Sequence, residues 1–152
     1  MPDASLAALR QRAQGAPIVW NFLGDSITHG ALHTWGHRDF VELIKETLTY
    51  RLGRKHDIII NAAHSGYRVG NLLAELDARC LRFQPDIVTI NIGMNDACNG
   101  PDGIAAYQAK LRELVGKIQA GTKALVFLQT INTIDLPNAS TRASLAGYMA
   151  AA

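Results

Sequence analysis

The chain has 152 residues, 48% of them hydrophobic and 18% charged, with a formal charge of +2. That is apolar material for one domain with a real core and too little chain for two. The 15 Lys and Arg are scattered, with their densest group at Arg51, Arg54 and Lys55, so nothing points to nucleic acid as a partner.

No apolar run approaches the ~20 residues of a membrane span. No charged stretch followed by an apolar one opens the chain as a secretory signal would, and a cytoplasmic location is the default expectation. Cys80 and Cys98 are the two cysteines and lack Cys-x-x-Cys spacing. They read as one buried and one loop thiol, with a disulfide left open.

Asp3 to Gln14 reads as a short outer helix, stopped by Gly15 and Pro17. Ile18 to Leu23 is apolar on both faces, as expected of a strand covered by helices on both sides. The polar turn Gly24-Asp25-Ser26-Ile27-Thr28-His29-Gly30 follows and holds one hydroxyl, Ser26, at a strand-to-helix junction. A helix is predicted from about Asp39 to Leu52, with Phe40, Val41, Ile44 and Leu48 at helical spacing and Gly53 closing it.

His56 to Ala62 reads as a second buried strand, followed by the loop Ala63 to Arg68. A third helix, roughly Val69 to Phe83, carries Leu72, Leu73, Leu76 and Cys80 inward and ends before Pro85. Asp86 to Ile92 is the third strand and runs into Gly93-Met94-Asn95-Asp96. From Gly100 a helix extends to about Ala120, burying Ile104, Tyr107, Leu111, Leu114, Val115 and Ile118.

Ala124 to Thr130 is the fourth strand, leading into a polar loop through Asn132, Asp135 and Pro137. The pattern turns helical again from about Ser140, with Leu145, Tyr148 and Met149. Strands alternating with helices predict an α/β fold, a three-layer doubly wound parallel sheet. In the flavodoxin-like order 2-1-3-4-5, the loops after strands one, two and three meet at the topological switch point. Those loops hold Ser26, Gly66 and Asn95.

These residue types suit acyl transfer: a hydroxyl to attack a carbonyl, and donors for the oxyanion that forms. Gly66 offers a backbone N–H without a Cβ in the way, and Asn95 a side-chain amide that does not titrate near neutral pH. Gly24-Asp25-Ser26, the Asn61 to Gly66 stretch and Gly93-Met94-Asn95-Asp96 together resemble the first three blocks of the GDSL-type, or SGNH, hydrolases. The resemblance implies Ser26 as nucleophile, the N–H groups of Ser26 and Gly66 with the Asn95 amide as oxyanion hole, and hydrolysis of a small-molecule ester without metal or cofactor.

The family's fourth block, Asp-x-x-His, has no match, and the final histidine is His64. Three explanations compete: a piece of a longer protein, a recruited histidine (His29 or His64), or a catalytically dead relative. The first is expected, because the chain stops in an amphipathic helix that leaves strand four as an uncovered edge, with the C-terminal strand and helix missing. Asp25 and Asp96 read as turn and cap residues, and Trp35, Tyr67 and Met94 are candidates for lining the substrate pocket.

His29, His33 and His37 fall at i, i+4 and i+8, but Gly30 and Gly36 interrupt the helix that zinc ligation would need. A reading from another class is a flavodoxin-like module whose Ser26 to Gly30 turn cradles a phosphate or flavin. A relative that binds an ester or glycan without cleaving it is a third.

Overall fold

The computed structural model describes residues 2–31, 34–134 and 142–152. The strands are β1 (Val19–Gly24), β2 (Ile58–Asn61), β3 (Ile87–Asn91) and β4 (Leu125–Leu128). All pair in parallel in the order β2-β1-β3-β4, with Val19 beside Ile58, Gly24 beside Asn91 and Ile87 beside Leu125. The predicted architecture and strand order are therefore present.

Alternate residues of β1 serve opposite layers, since side chains of a strand alternate in direction. Trp20 and Phe22 pack with Ile18, Val41, Leu48 and Ile87 beneath α1 (Pro2–Ala13) and α3 (Phe40–Glu46). On the other face Leu23, Val88 and Ile90 meet Leu72, Leu111, Leu114 and Ile118. Those side chains come from α4 (Val69–Ala74) and α6 (Ile104–Gly121), with Tyr148 from α7 (Leu145–Ala151) alongside. Each fully buried Leu or Ile stabilises the fold by about 1.5–3 kcal/mol.

The second strand is not buried as its composition suggested. β2 lies at the sheet edge with one neighbour, and Ile58 is 56% exposed. At the opposite edge β4 has only partly covered side chains and an exposed Leu128, which lines a groove with Leu111, Val115 and the last three alanines.

Two predicted helices are also broken. Asp39 caps α3 in a reciprocal capping box with Glu42, but the last turn widens to a π-helical turn over Thr47–Arg51. The Thr47 hydroxyl donates to the Leu43 carbonyl at 2.9 Å and competes with the regular ladder. The 69–83 segment divides into α4, α5 (Leu76–Arg79) and a 3-10 turn at Leu81–Phe83. Its Arg79 carbonyl accepts instead from Nδ2 of the buried Asn21, 2.8 Å away in β1.

Cys80 is buried, Cys98 exposed, and both are free thiols. Among the described residues no helix is long and apolar enough to cross a membrane.

Candidate active site

The apolar run of β1 can turn sharply at Gly24 only because no side chain is there. A Cβ would strike Thr28 Oγ1 and lie 2.6 Å from the Asn91 carbonyl of the adjacent strand. Asp25 then caps α2 (Ser26–His29), its Oδ1 accepting the Ile27 N–H at 3.0 Å. Burial pushes the Asp25 carboxyl pKa up, opposed by the Ile27 N–H and the Arg142 charge. It acts as a cap, as the sequence suggested.

Ser26 is the first residue of α2, half-buried, in a cleft of about 290 Å³ lined also by Ile27, Gly30 and Thr34. The loop after β2 continues alongside β1: the Ala62 N–H donates to the Phe22 carbonyl at 2.9 Å and the His64 N–H to the Gly24 carbonyl at 3.1 Å. Asn61 Nδ2 ties the same loop to α2 through the Thr28 carbonyl at 2.8 Å. Gly66 is exposed with φ +83°, a conformation that favours glycine.

Asn95 follows β3, whose Asn91 pairs with Gly24. Its Nδ2 donates to the Tyr67 carbonyl at 2.9 Å, which fixes the amide orientation and, among the described residues, leaves its second N–H uncommitted. Among the described residues the backbone N–H groups of Ser26 and Gly66 also have no partner. The first and third blocks leave adjacent strands, and the second is hydrogen-bonded to both.

Asp96 caps as the sequence suggested, but the other supports of the site were not apparent from it. The buried Asp96 carboxylate accepts the Val69 N–H with both oxygens, at 3.3 and 3.2 Å, and so caps α4 from the neighbouring loop. Burial raises its pKa, against the pull of the Val69 N–H and of the Arg68 and Lys110 charges. Arg79 donates to the Ala62 carbonyl at 3.0 Å and to the Tyr67 hydroxyl at 2.8 Å, while Arg142 Nε donates to the Met94 carbonyl at 3.0 Å. Only the acidic residue of Gly93-Met94-Asn95-Asp96 carried a local signal.

The two histidines considered as recruited bases point elsewhere. His29 Nδ1 lies 3.2 Å from the Ser65 amide nitrogen and 3.0 Å from its hydroxyl, and His64 Nδ1 lies 2.9 Å from the Ser65 carbonyl. Neither ring bonds Ser26 among the described residues. Gly30 ends α2 after one turn, so His29 and His37 share no helix.

His33 lies outside the described residues, as do Asp135 and Pro137. Among the residues described, no three His, Cys, Asp or Glu side chains come together as a metal site. Of the three pocket candidates, Trp35 is 91% exposed, Met94 is buried, and Tyr67 is held by Glu75 and Arg79.

The chain is similar to an α/β hydrolase enzyme from the metagenome of Lake Arreo, Spain. The two are 25% identical with a TM-score of 0.73, over 90% of this chain and 71% of that one. An acetylxylan esterase from Geobacillus stearothermophilus, 23% identical with a TM-score of 0.70 over 90% and 70% of the two chains, shares the fold. An uncharacterized Mycoplasma pneumoniae protein is 36% identical over 81 residues, which are 51% of this chain and 9% of that protein. The model of the GDSL-like lipase/acylhydrolase family matches residues 22–152, a span that holds all three polar loops, and the chain belongs to that family.

Proposed function

We propose that this chain is a serine esterase or acylhydrolase working through an acyl-Ser26 intermediate. The observation that carries the reading is the bond from Asn95 Nδ2 to the Tyr67 carbonyl, next to Gly66, with the second amide N–H left over. In this reading Ser26 Oγ attacks the ester carbonyl, its proton passing to a general base. The oxyanion collects the N–H groups of Ser26 and Gly66 and the free N–H of Asn95. Collapse expels the alcohol, which takes up that proton, and water then releases the acid from Ser26 by the same sequence.

The phosphate-cradle alternative fits poorly. α2 is four residues long, its Ile27 N–H is already taken by Asp25, and a buried carboxylate at the helix start repels an anion. The test is p-nitrophenol release from excess p-nitrophenyl acetate, for this chain and its Ser26→Ala variant. Release that depends on Ser26 is expected, and its continuing past one equivalent requires a base within these 152 residues. Release equal in both proteins, whether zero or substantial, refutes the reading for this chain.

A further inference from the structure

We propose that His29 is a positioning residue: a neutral imidazole, protonated on Nε2, that holds Ser65 against the Ser26 turn and thereby aims the Gly66 N–H. The inference rests on the esterase reading for its consequence, though not for its geometry. A backbone N–H can only donate, so the Ser65 N–H at 3.2 Å requires a lone pair on His29 Nδ1. The proton of the neutral ring is then on Nε2.

The Ser65 hydroxyl, 3.0 Å from the same nitrogen, donates to it as well. His29 itself belongs to the turn that carries Ser26, its own N–H bonding the Asp25 carbonyl at 2.9 Å. One imidazole therefore joins the nucleophile's turn to the residue before Gly66.

The clamp acts on an exposed turn that the Tyr67 N–H closes on the His64 carbonyl at 3.2 Å, with Ser65 and Gly66 at its corners. Gly66 is exposed, and beyond its own backbone and chain neighbours no heavy atom among the described residues lies within 4 Å of where a Cβ would stand. The Gly66 N–H shares a planar trans peptide with the Ser65 carbonyl, so fixing that carbonyl fixes the direction of the N–H. The carbonyl accepts from His64 Nδ1 at 2.9 Å. His64 in turn stacks on His29, with centroids 5.5 Å apart and planes within 12°, and lies against Tyr67, tilted by 32° at 4.5 Å. His29 holds one end of Ser65 and supports the ring that holds the other.

The test uses the whole 152-residue chain labelled with nitrogen-15. A through-hydrogen-bond coupling between the Ser65 amide nitrogen and His29 Nδ1 is expected, with the ring in the Nε2–H tautomer. His29→Asn retains an acceptor near the Nδ1 position and His29→Leu removes it. The Gly66 amide resonance should stay near its wild-type place in the first variant and move in the second.

On p-nitrophenyl acetate, kcat should fall roughly 10- to 100-fold in His29→Leu at unchanged KM, and recover in His29→Asn. No coupling, or a His29→Leu protein with the wild-type Gly66 resonance, overturns the proposal. So does an active wild type whose kcat is unchanged in His29→Leu. If wild type releases nothing beyond Ser26→Ala, the esterase reading fails, and the coupling with the Gly66 resonance decides the clamp alone.

Discussion

Asn95→Ala separates a strut from an oxyanion donor. As a strut, Asn95 contributes one half-buried hydrogen bond, Nδ2 to the Tyr67 carbonyl at 2.9 Å. Losing such a bond costs about 0.5–1.5 kcal/mol of stability. For a chain of this length that is a fall in Tm of roughly 1–6 °C. As a donor, its second N–H is worth about 2.7–4 kcal/mol in the transition state, a drop of ~10² to 10³ in kcat.

The two roles therefore differ in both size and observable. Thermal unfolding followed by circular dichroism reads the first, and kcat for p-nitrophenyl acetate the second. We expect a Tm lowered by a few degrees with turnover almost abolished. Asn95→Asp should be at least as inactive, because a carboxylate has no N–H to give and repels both the Tyr67 carbonyl and the oxyanion. A folded Asn95→Ala protein with wild-type kcat refutes the donor assignment and leaves Asn95 a strut.

At the opposite end of the sheet, Asp57 has 1% of its side chain exposed. It accepts from Arg54 at 2.6 and 2.7 Å, Trp20 Nε1 at 2.8 Å and the Ile18 N–H at 3.2 Å. Asp57→Ala takes the carboxylate from a nearly buried Arg54, leaving it only the Ala13 and Ala16 carbonyls, and should cost on the order of 3–5 kcal/mol in urea unfolding at pH 7; a loss under about 1 kcal/mol refutes this. Burial raises the Asp57 pKa, but the bonds from Arg54, Trp20 and Ile18 outweigh it and leave the value below 3.8. Its contribution is thus full above the unfolded carboxyl's pKa and fades as pH falls through the lower folded value, so the gap between wild type and Asp57→Ala should narrow below about pH 4. Asp96 runs the other way: its raised folded pKa makes its contribution greatest below 3.8 and diminishes it as pH rises through the folded value. The stability of Asp96→Asn relative to wild type should therefore improve from pH 3 to pH 7, and a flat or falling difference excludes the burial cost.

The central strands were legible because Ile18 to Leu23 is apolar on both faces and Ile87, Val88 and Ile90 place apolar side chains on both faces of the third strand, as strands covered by helices on both faces need. Ile58-Ile59-Ile60 has the same composition at an edge, where exposure depends on the absence of a neighbour rather than on the segment itself. The end of the α-helical ladder at Arg79 was illegible for a related reason. The competitor for the Arg79 carbonyl is Asn21, 58 residues away, and no local periodicity reports it.

The reacting groups of the proposed site could be named from residue type and position after a strand, as Ser26, Gly66 and Asn95 were. Their supports could not. His29, Arg79 and Arg142 act on loops 36, 17 and 48 residues distant; the two arginines read locally as ordinary surface residues, and His29 as a candidate base rather than a support.

The polar residues divide between the two ends of the sheet, and the division explains how an open proposed site coexists with two packed layers. At the amino ends, Asp57 holds the entry of β1 through Ile18 and Trp20, and Asp86 takes the Val19 N–H at 2.9 Å and pairs with Arg12 at 3.1 Å. These bonds fasten strands that the two core layers already cover. At the carboxyl ends the loops leave the core, and a Cβ on Gly66 would stand in open space. Direction there comes from crosslinks: Asn61 to Thr28, His29 to Ser65, Asn95 to Tyr67. Each joins two of the three loops, so removing one should misalign the proposed oxyanion donors while leaving the layers packed. Losing an amino-end carboxylate should loosen the whole fold before it touches the chemistry.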